Sequence, residues 1–285
     1  DLAVVCQSLG SVQVMMGNGV AGVGNGTFAS PISYNFDGES ADIVAADFNE
    51  DGITDLAFTN PIENTLEILV GEGVNGHGNG VFHIDPVCPP IAEGASALLP
   101  GDFNQDGITD LAVACETSNI IAILIGIGGG GTGNGSFAPA INVAVGLAPS
   151  SMVSGDFDEN GFIDFAAISD GTSNVVMLRG GANNIPNEMF QVEPLDLPVP
   201  PLGRAIVTGE FTGDGIADLA VTSPVMSTVL ILRGLGAGGV GSGSFGMPIQ
   251  FAVSTTPLVL QKGDFNIDGI TDLAIAGPDG GSGGQ

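Results

Sequence analysis

Five nine-residue stretches carry side-chain oxygen at the same four places: 47–55 (DFNEDGITD), 102–110 (DFNQDGITD), 156–164 (DFDENGFID), 210–218 (EFTGDGIAD) and 264–272 (DFNIDGITD). Positions 1, 3, 5 and 9 are Asp, Glu, Asn or Thr, and position 6 is always glycine. Hard dications take about six to eight oxygens at roughly 2.3–2.6 Å. A short loop supplies them when alternate side chains turn inward and a glycine permits the sharp bend. The spacing therefore predicts a structural calcium ion in each loop, up to five in all. The side-chain ligands would be Asp47, Asn49, Asp51 and Asp55; Asp102, Asn104, Asp106 and Asp110; Asp156, Asp158, Asn160 and Asp164; Glu210, Thr212, Asp214 and Asp218; and Asp264, Asn266, Asp268 and Asp272. Position 7 would add a backbone carbonyl, from Ile53, Ile108, Phe162, Ile216 and Ile270. Without a cation, three clustered carboxylates repel one another. The loops are not equal. Asn160 replaces Asp at position 5 while Asp158 adds charge at position 3. Glu210 reaches further than Asp and Thr212 is a poorer ligand, so loop 210–218 is expected to bind most weakly.

The loops begin 55, 54, 54 and 54 residues apart, the mark of a supersecondary unit repeated in space. After each loop comes a short apolar run, such as Leu111-Ala112-Val113-Ala114. A turn and a β-branched run follow, such as Ile120 to Ile125. A Gly-rich loop then leads to a phenylalanine (Phe28, Phe82, Phe137, Phe190, Phe245), and two more runs return to the next acidic loop. No segment keeps helical spacing over three turns, so each unit reads as four short strands. The expected fold is all-β: a β-propeller of four-stranded antiparallel blades, forming one domain over residues 1–285. In it the acidic loop joins the innermost strand to the second. The phenylalanine at position 2 of each loop (Phe48, Phe103, Phe157, Phe211, Phe265) is expected to pack between blades.

Asp1-Leu2-Ala3 aligns with Asp55-Leu56-Ala57, so the first strand reads as a second strand, and the last second strand falls at 272–276. That gives four complete and two partial blades. An intact ring of six or seven is expected, with the chain a fragment of a longer polypeptide.

The formal net charge is −28, with Arg179, Arg204, Arg233 and Lys262 the only basic residues. Nucleic acid is excluded as a partner, because phosphates need a basic footprint. Fifteen of the 32 acidic residues stand at loop ligand positions, and five dications would bring the net charge from −28 to −18. No apolar run approaches the roughly 18 residues of a transmembrane segment. Cys88 and Cys115 fall where a disulfide is geometrically plausible, and Cys6 repeats the position of Cys115. Three buried free thiols is the alternative; the disulfide reading points to an oxidising, extracellular or cell-surface location.

The motif DFN-x-DG-x-x-DLA, with G-N-G-T-F (24–28), G-N-G-V-F (78–82) and G-N-G-S-F (133–137), resembles the FG-GAP/VCBS repeat family along essentially the whole chain. These are the propeller repeats of integrin α-subunit heads and of many bacterial surface proteins. The resemblance implies calcium at the loop residues named above and a seven-bladed ring in the best-known members. It also implies adhesion or scaffolding more often than catalysis. Residues 187–190 (NEMF) depart from G-N-G-x-F, and the outer loop there is expected to vary.

Other signals are weaker. G-x-G-x-x-G at 17–22, 71–76, 126–131 and 234–239 follows strands, but no helix follows to receive a pyrophosphate. Gly280-Gly281-Ser282-Gly283-Gly284 matches a nucleophile-elbow string without its strand-to-helix setting. His77 and His83 read as exposed loop residues rather than zinc ligands. Asn25-Gly26-Thr27 and Asn134-Gly135-Ser136 are glycosylation sequons that also make good turns. The expected function is a non-catalytic, calcium-stabilised adhesion or structural module with protein or glycan partners at the cell surface, or self-assembly. The alternatives are a lectin-like propeller, weakened by the absence of Trp and a single tyrosine, Tyr34, and a propeller hydrolase or lyase with no catalytic constellation visible.

Overall fold

The computed structural model describes residues 1–6, 10–20, 23–36, 38, 40–85, 89–172, 174–181, 189–198, 203–254 and 256–278. Among these residues every regular element is a β-strand and there is no helix. The chain divides into two compact units. One is Asp1–Val113 with Ala122–Ala140, the other Ala114–Ile121 with Ile141–Gln285.

In the first unit, strands Leu2–Cys6, Ser11–Met15 and Ile32–Asn35 form a three-stranded antiparallel sheet. Ile43–Ala46, Asp55–Asn60, Thr65–Val74 and His77–Ile84 form a four-stranded one, also antiparallel. In the second unit, Pro149–Gly155, Asp164–Ser169, Asn174–Gly180 and Phe190–Pro198 form one four-stranded sheet. Ile206–Gly209, Asp218–Ser223, Thr228–Leu232 and Ile249–Ala252 form another, and Val259–Gly263 pairs with Asp272–Ala276. The division between units falls inside the sheet ordered Ala95–Gly101, Asp110–Cys115, Ile120–Leu124 and Ile141–Ala144. Each acidic loop joins the first strand of its sheet to the second, as expected.

The second strands are buried at every residue, from Asp55–Asn60 to Asp218–Ser223. A strand covered on both faces reads as a continuous apolar run rather than an alternation, which is why these segments are Leu, Ala, Val and Phe. Their two faces serve different neighbours. Leu219 and Val221 join a cluster with Ala166, Ile168, Val175 and Met177 of the preceding sheet, while Ala220 turns to Leu260, Leu273 and Ile275 of the next pair of strands. Each fully buried Leu or Val of this kind contributes roughly 1.5–3 kcal/mol of hydrophobic stabilisation.

Two readings need adjustment. The Gly-rich segments are not open loops but β-hairpins: Gly17–Val20 with Val23–Phe28, Gly126–Gly129 with Thr132–Phe137, and Gly234–Ala237 with Val240–Phe245. At 71–78 the hairpin continues the third and fourth strands directly. Each contains a register shift where the two backbones close in, and a Cβ at Gly128 would collide with the Thr132 carbonyl. That close approach, rather than flexibility, accounts for a glycine there.

The position-2 phenylalanines also do not behave alike. Phe48, Phe103 and Phe157 are buried, Phe211 is half-buried, and Phe265 is 61% exposed. Phe48 stacks edge-on against Phe137 at 5.8 Å, and Phe157 against Phe245 at 5.7 Å. The partner in each case is the hairpin phenylalanine of the following repeat. The repeat containing Phe265 has no such hairpin after it among the described residues.

Candidate metal centre

Within loop 47–55 the side chains are positioned by the backbone they fold around. Asp47 accepts the Asp51 amide through Oδ1 at 3.1 Å and the Gly52 amide through Oδ2 at 2.7 Å. Asn49 Oδ1 accepts the same Asp51 amide at 3.0 Å, and Asp51 Oδ1 accepts the Ile53 amide at 2.8 Å. Two left-handed residues, Glu50 (φ 54°) and Gly52 (φ 84°), wind the chain tightly enough for this. The arrangement recurs in loop 102–110, where Asp102 and Asn104 share the Asp106 amide, and in loop 264–272, where Asp264 and Asn266 share the Asp268 amide. In loop 156–164, Asp156 and Asp158 share the Asn160 amide.

Position 9 does a different job. Asp55, Asp110, Asp164 and Asp218 are wholly buried. Each accepts the amide of the position-2 phenylalanine through Oδ2 and, through Oδ1, the amide of a glycine 16 residues further on: Gly71, Gly126, Gly180 or Gly234. One carboxylate thereby ties the start of the loop to the start of the hairpin. Asp1 accepts the Gly17 amide at the same offset, 2.7 Å away, and so holds the position-9 place of the first sheet. Burial raises the Asp110 carboxyl to about 7 and the Asp164 carboxyl to about 6. The two amide bonds pull down against that burial, and the neighbouring loop aspartates add to the rise. Asp55 is raised for the same reasons.

Oxygens that share a calcium ion at roughly 2.3–2.6 Å lie no more than about 5 Å apart. One ligand atom from each of Asp156, Asp158 and Asp164 lies within 4.8 Å of the other two, so loop 156–164 fits a dication. It is the one such group of three acidic side chains among the described residues. Loops 47–55, 102–110 and 264–272 bring an oxygen of position 1 and one of position 3 onto the same amide, without gathering their three carboxylates that closely. Loop 210–218 differs. Glu210 Oε1 alone takes the Thr212, Gly213 and Asp214 amides. At position 7, Ile53, Ile108 and Ile216 are buried under the hairpins, Phe162 is half-buried, and Ile270 is exposed.

Three features escaped the sequence reading. Glu50 and Glu159, at position 4, accept the amides of Gly133 and Gly241 at 2.9 and 2.8 Å. Arg179 and Arg233 stand at one repeat position, 15 residues after Asp164 and Asp218, and each reaches a loop carboxylate. The position-9 carboxylates bond to the hairpins. The signal for all three was a constant offset from the position-9 aspartate.

Elsewhere, Tyr34 packs edge-on against Phe82 at 5.8 Å and its hydroxyl accepts the Phe82 amide. His83 lies 3.4 Å from Glu72, and His77 is exposed. Cys115 is buried and Cys6 half-buried. Cys88 lies outside the described residues, as do 182–188 and 280–284, where the variable outer loop and the Ser282 string were read. No helix among the described residues is long and apolar enough to cross a membrane.

Residues 102–167, which hold two acidic loops and the repeat between them, match the model of the FG-GAP-like repeat. No curated protein matches the chain. Among solved structures it is similar to a Bacteroides uniformis protein provisionally called a 6-phosphogluconolactonase. The TM-score is 0.62 with 10% identity over 95% of this chain and 70% of that one. It is also similar to a Lactobacillus plantarum protein, with TM-score 0.56 and 10% identity over 91% of this chain and 70% of that one. At that identity the likeness is one of fold, β-propeller-like, and not of reaction.

Proposed function

We propose that this chain is a calcium-stabilised β-propeller repeat module of an extracellular or cell-surface protein, serving protein interaction or assembly rather than catalysis. The observation that carries the reading is the loop network itself. Four loops gather the oxygens of positions 1 and 3 on one amide, and a buried aspartate at position 9 ties each of the first four loops to a glycine 16 residues further on. Such clusters of carboxylate in a chain of net charge −28 favour a dication for two reasons: local coordination, and relief of self-repulsion. The residues that would hold it are those at positions 1, 3, 5 and 9. The ion's contribution would be charge neutralisation and a rigid loop at the join between the first and second strands.

A lectin role finds no support, since the single tyrosine is engaged in packing against Phe82. At 10% identity the fold likeness to a lactonase-type protein carries no argument about chemistry.

The test is thermal unfolding of the protein in EDTA and in millimolar calcium. With free calcium at about 100 times its dissociation constant, each independent site adds roughly 2.7 kcal/mol. A melting temperature that rises by many degrees on calcium addition supports the reading. An unchanged one removes calcium from it. Cross-linking and light scattering of the calcium-loaded protein then report on assembly.

A further inference from the structure

We propose that loop 210–218 is the exception among the five acidic loops: Arg233 is its resident cation, and the loop takes no divalent ion at concentrations that fill the others. This rests on the calcium reading of the other loops and departs from it at one site.

The chain has only four basic residues, and Arg179 and Arg233 occupy the same repeat position. The corresponding residues of other repeats are Met16, Val70 and Ile125, which carry no charge. At this repeat position a cation stands in two repeats of the five.

The two arginines act differently. Arg179 Nη1 donates to Asp158 Oδ2 at 3.0 Å and to the Ser242 carbonyl at 3.1 Å. Asp158 is an extra carboxylate at position 3, and it remains grouped with Asp156 and Asp164. Arg179 thus offsets an added charge and leaves three carboxylates together.

Arg233 instead meets the position-5 ligand. Its Nε and Nη2 donate to Asp214 Oδ2 at 2.9 and 2.8 Å. The other oxygen, Oδ1, accepts the Ile216 amide at 3.0 Å. Asp214 Oδ2 thereby accepts from a cation, whereas Asp106 and Asp268 accept there from the neutral side-chain amides of Asn104 and Asn266. Position 3 offers a hydroxyl rather than a carboxylate or amide oxygen, and position 1 is the longer Glu210. A dication entering this loop would have to displace the guanidinium or sit beside a fixed positive charge that repels it.

The experiment is a calcium titration of the full chain followed by backbone amide NMR. It reads the position-6 glycines Gly52, Gly107, Gly161, Gly215 and Gly269 as one reporter per loop. Expected is a midpoint for Gly215 at least about tenfold higher in calcium than for the other four, equivalent to about 1.4 kcal/mol. Arg233→Met should bring the Gly215 midpoint down by at least about tenfold and leave the rest unmoved. Arg233→Gln repeats the test should the Met variant fold poorly, and Arg233→Lys, which keeps the charge, should leave Gly215 high. A wild-type Gly215 that titrates with Gly52, or a midpoint that neither charge-removing variant moves, overturns the proposal. If no glycine responds to calcium, the calcium reading itself falls and this inference falls with it.

Discussion

The Glu50 carboxylate accepts the Gly133 amide at 2.9 Å, joining an acidic loop to the hairpin of the following repeat across 83 residues of chain. Glu159 does the same for Gly241 at 2.8 Å across 82 residues. In both cases a left-handed backbone at position 4 turns the side chain out of its own loop. The position-2 ring beside it stacks on the hairpin phenylalanine, so a polar strap and an aromatic contact act on the same joint. Glu50→Ala should cost about 1.5–3 kcal/mol in urea unfolding, the usual range for a hydrogen bond to a charged group. Glu50→Gln keeps an acceptor and should cost less than about 1 kcal/mol. Equal losses for both variants would mean that packing, not the hydrogen bond, joins the two repeats.

Stability of the calcium-free protein should fall as pH rises from about 4 to about 7. Asp110 and Asp164 hold protons in the folded chain up to about 7 and 6, whereas an unfolded aspartate releases its proton near 3.8. Inside that window the folded state binds more protons than the unfolded state, so raising the pH favours unfolding. Calcium replaces those protons, and its stabilising effect should therefore be larger at pH 7.5 than at pH 5. Thermal melts in EDTA and in calcium at the two pH values provide the check. An EDTA melting temperature that climbs between them would contradict the burial argument.

Neighbouring glycines of one hairpin should respond oppositely to alanine. A Cβ at Gly128 would strike the Thr132 carbonyl, whereas one at Gly129 meets nothing within 4 Å. Gly128→Ala should cost about 1–3 kcal/mol through forced backbone movement. Gly129→Ala should be neutral, or stabilising by up to about 1 kcal/mol through reduced freedom of the unfolded chain. Equilibrium unfolding of the pair decides it.

Position 4 of the last acidic loop carries avoidable strain. Ile267 adopts φ 62° and is 90% exposed, so a β-branched side chain sits in a left-handed conformation with little burial to offset it. Ile267→Gly should gain about 1 kcal/mol in the monomer, measured by chemical unfolding. A loss of stability would show that the isoleucine makes a contact worth more than its strain.

Residue type and spacing alone carry the repeat, the all-β character and the order of strands within a sheet. A buried strand needs a run such as Leu111-Ala112-Val113, and a tight acidic turn needs glycine at position 6; both are local demands written in residue type. The nine-residue loops were legible for the same reason: their hydrogen bonds at positions 1, 3 and 5 span at most five residues. The tertiary structure decided what lay at longer range. It made the Gly-rich segments hairpins, because their register depends on a close backbone approach. It also made the position-9 aspartates buried cross-links to Gly71, Gly126, Gly180 and Gly234. Only the fold could show Phe48 covered and Phe265 exposed, since identical motifs differ in whether a neighbouring repeat packs on them. It likewise set Arg233 against Asp214, a pair 19 residues apart whose meeting depends on how the third strand lies beside the loop.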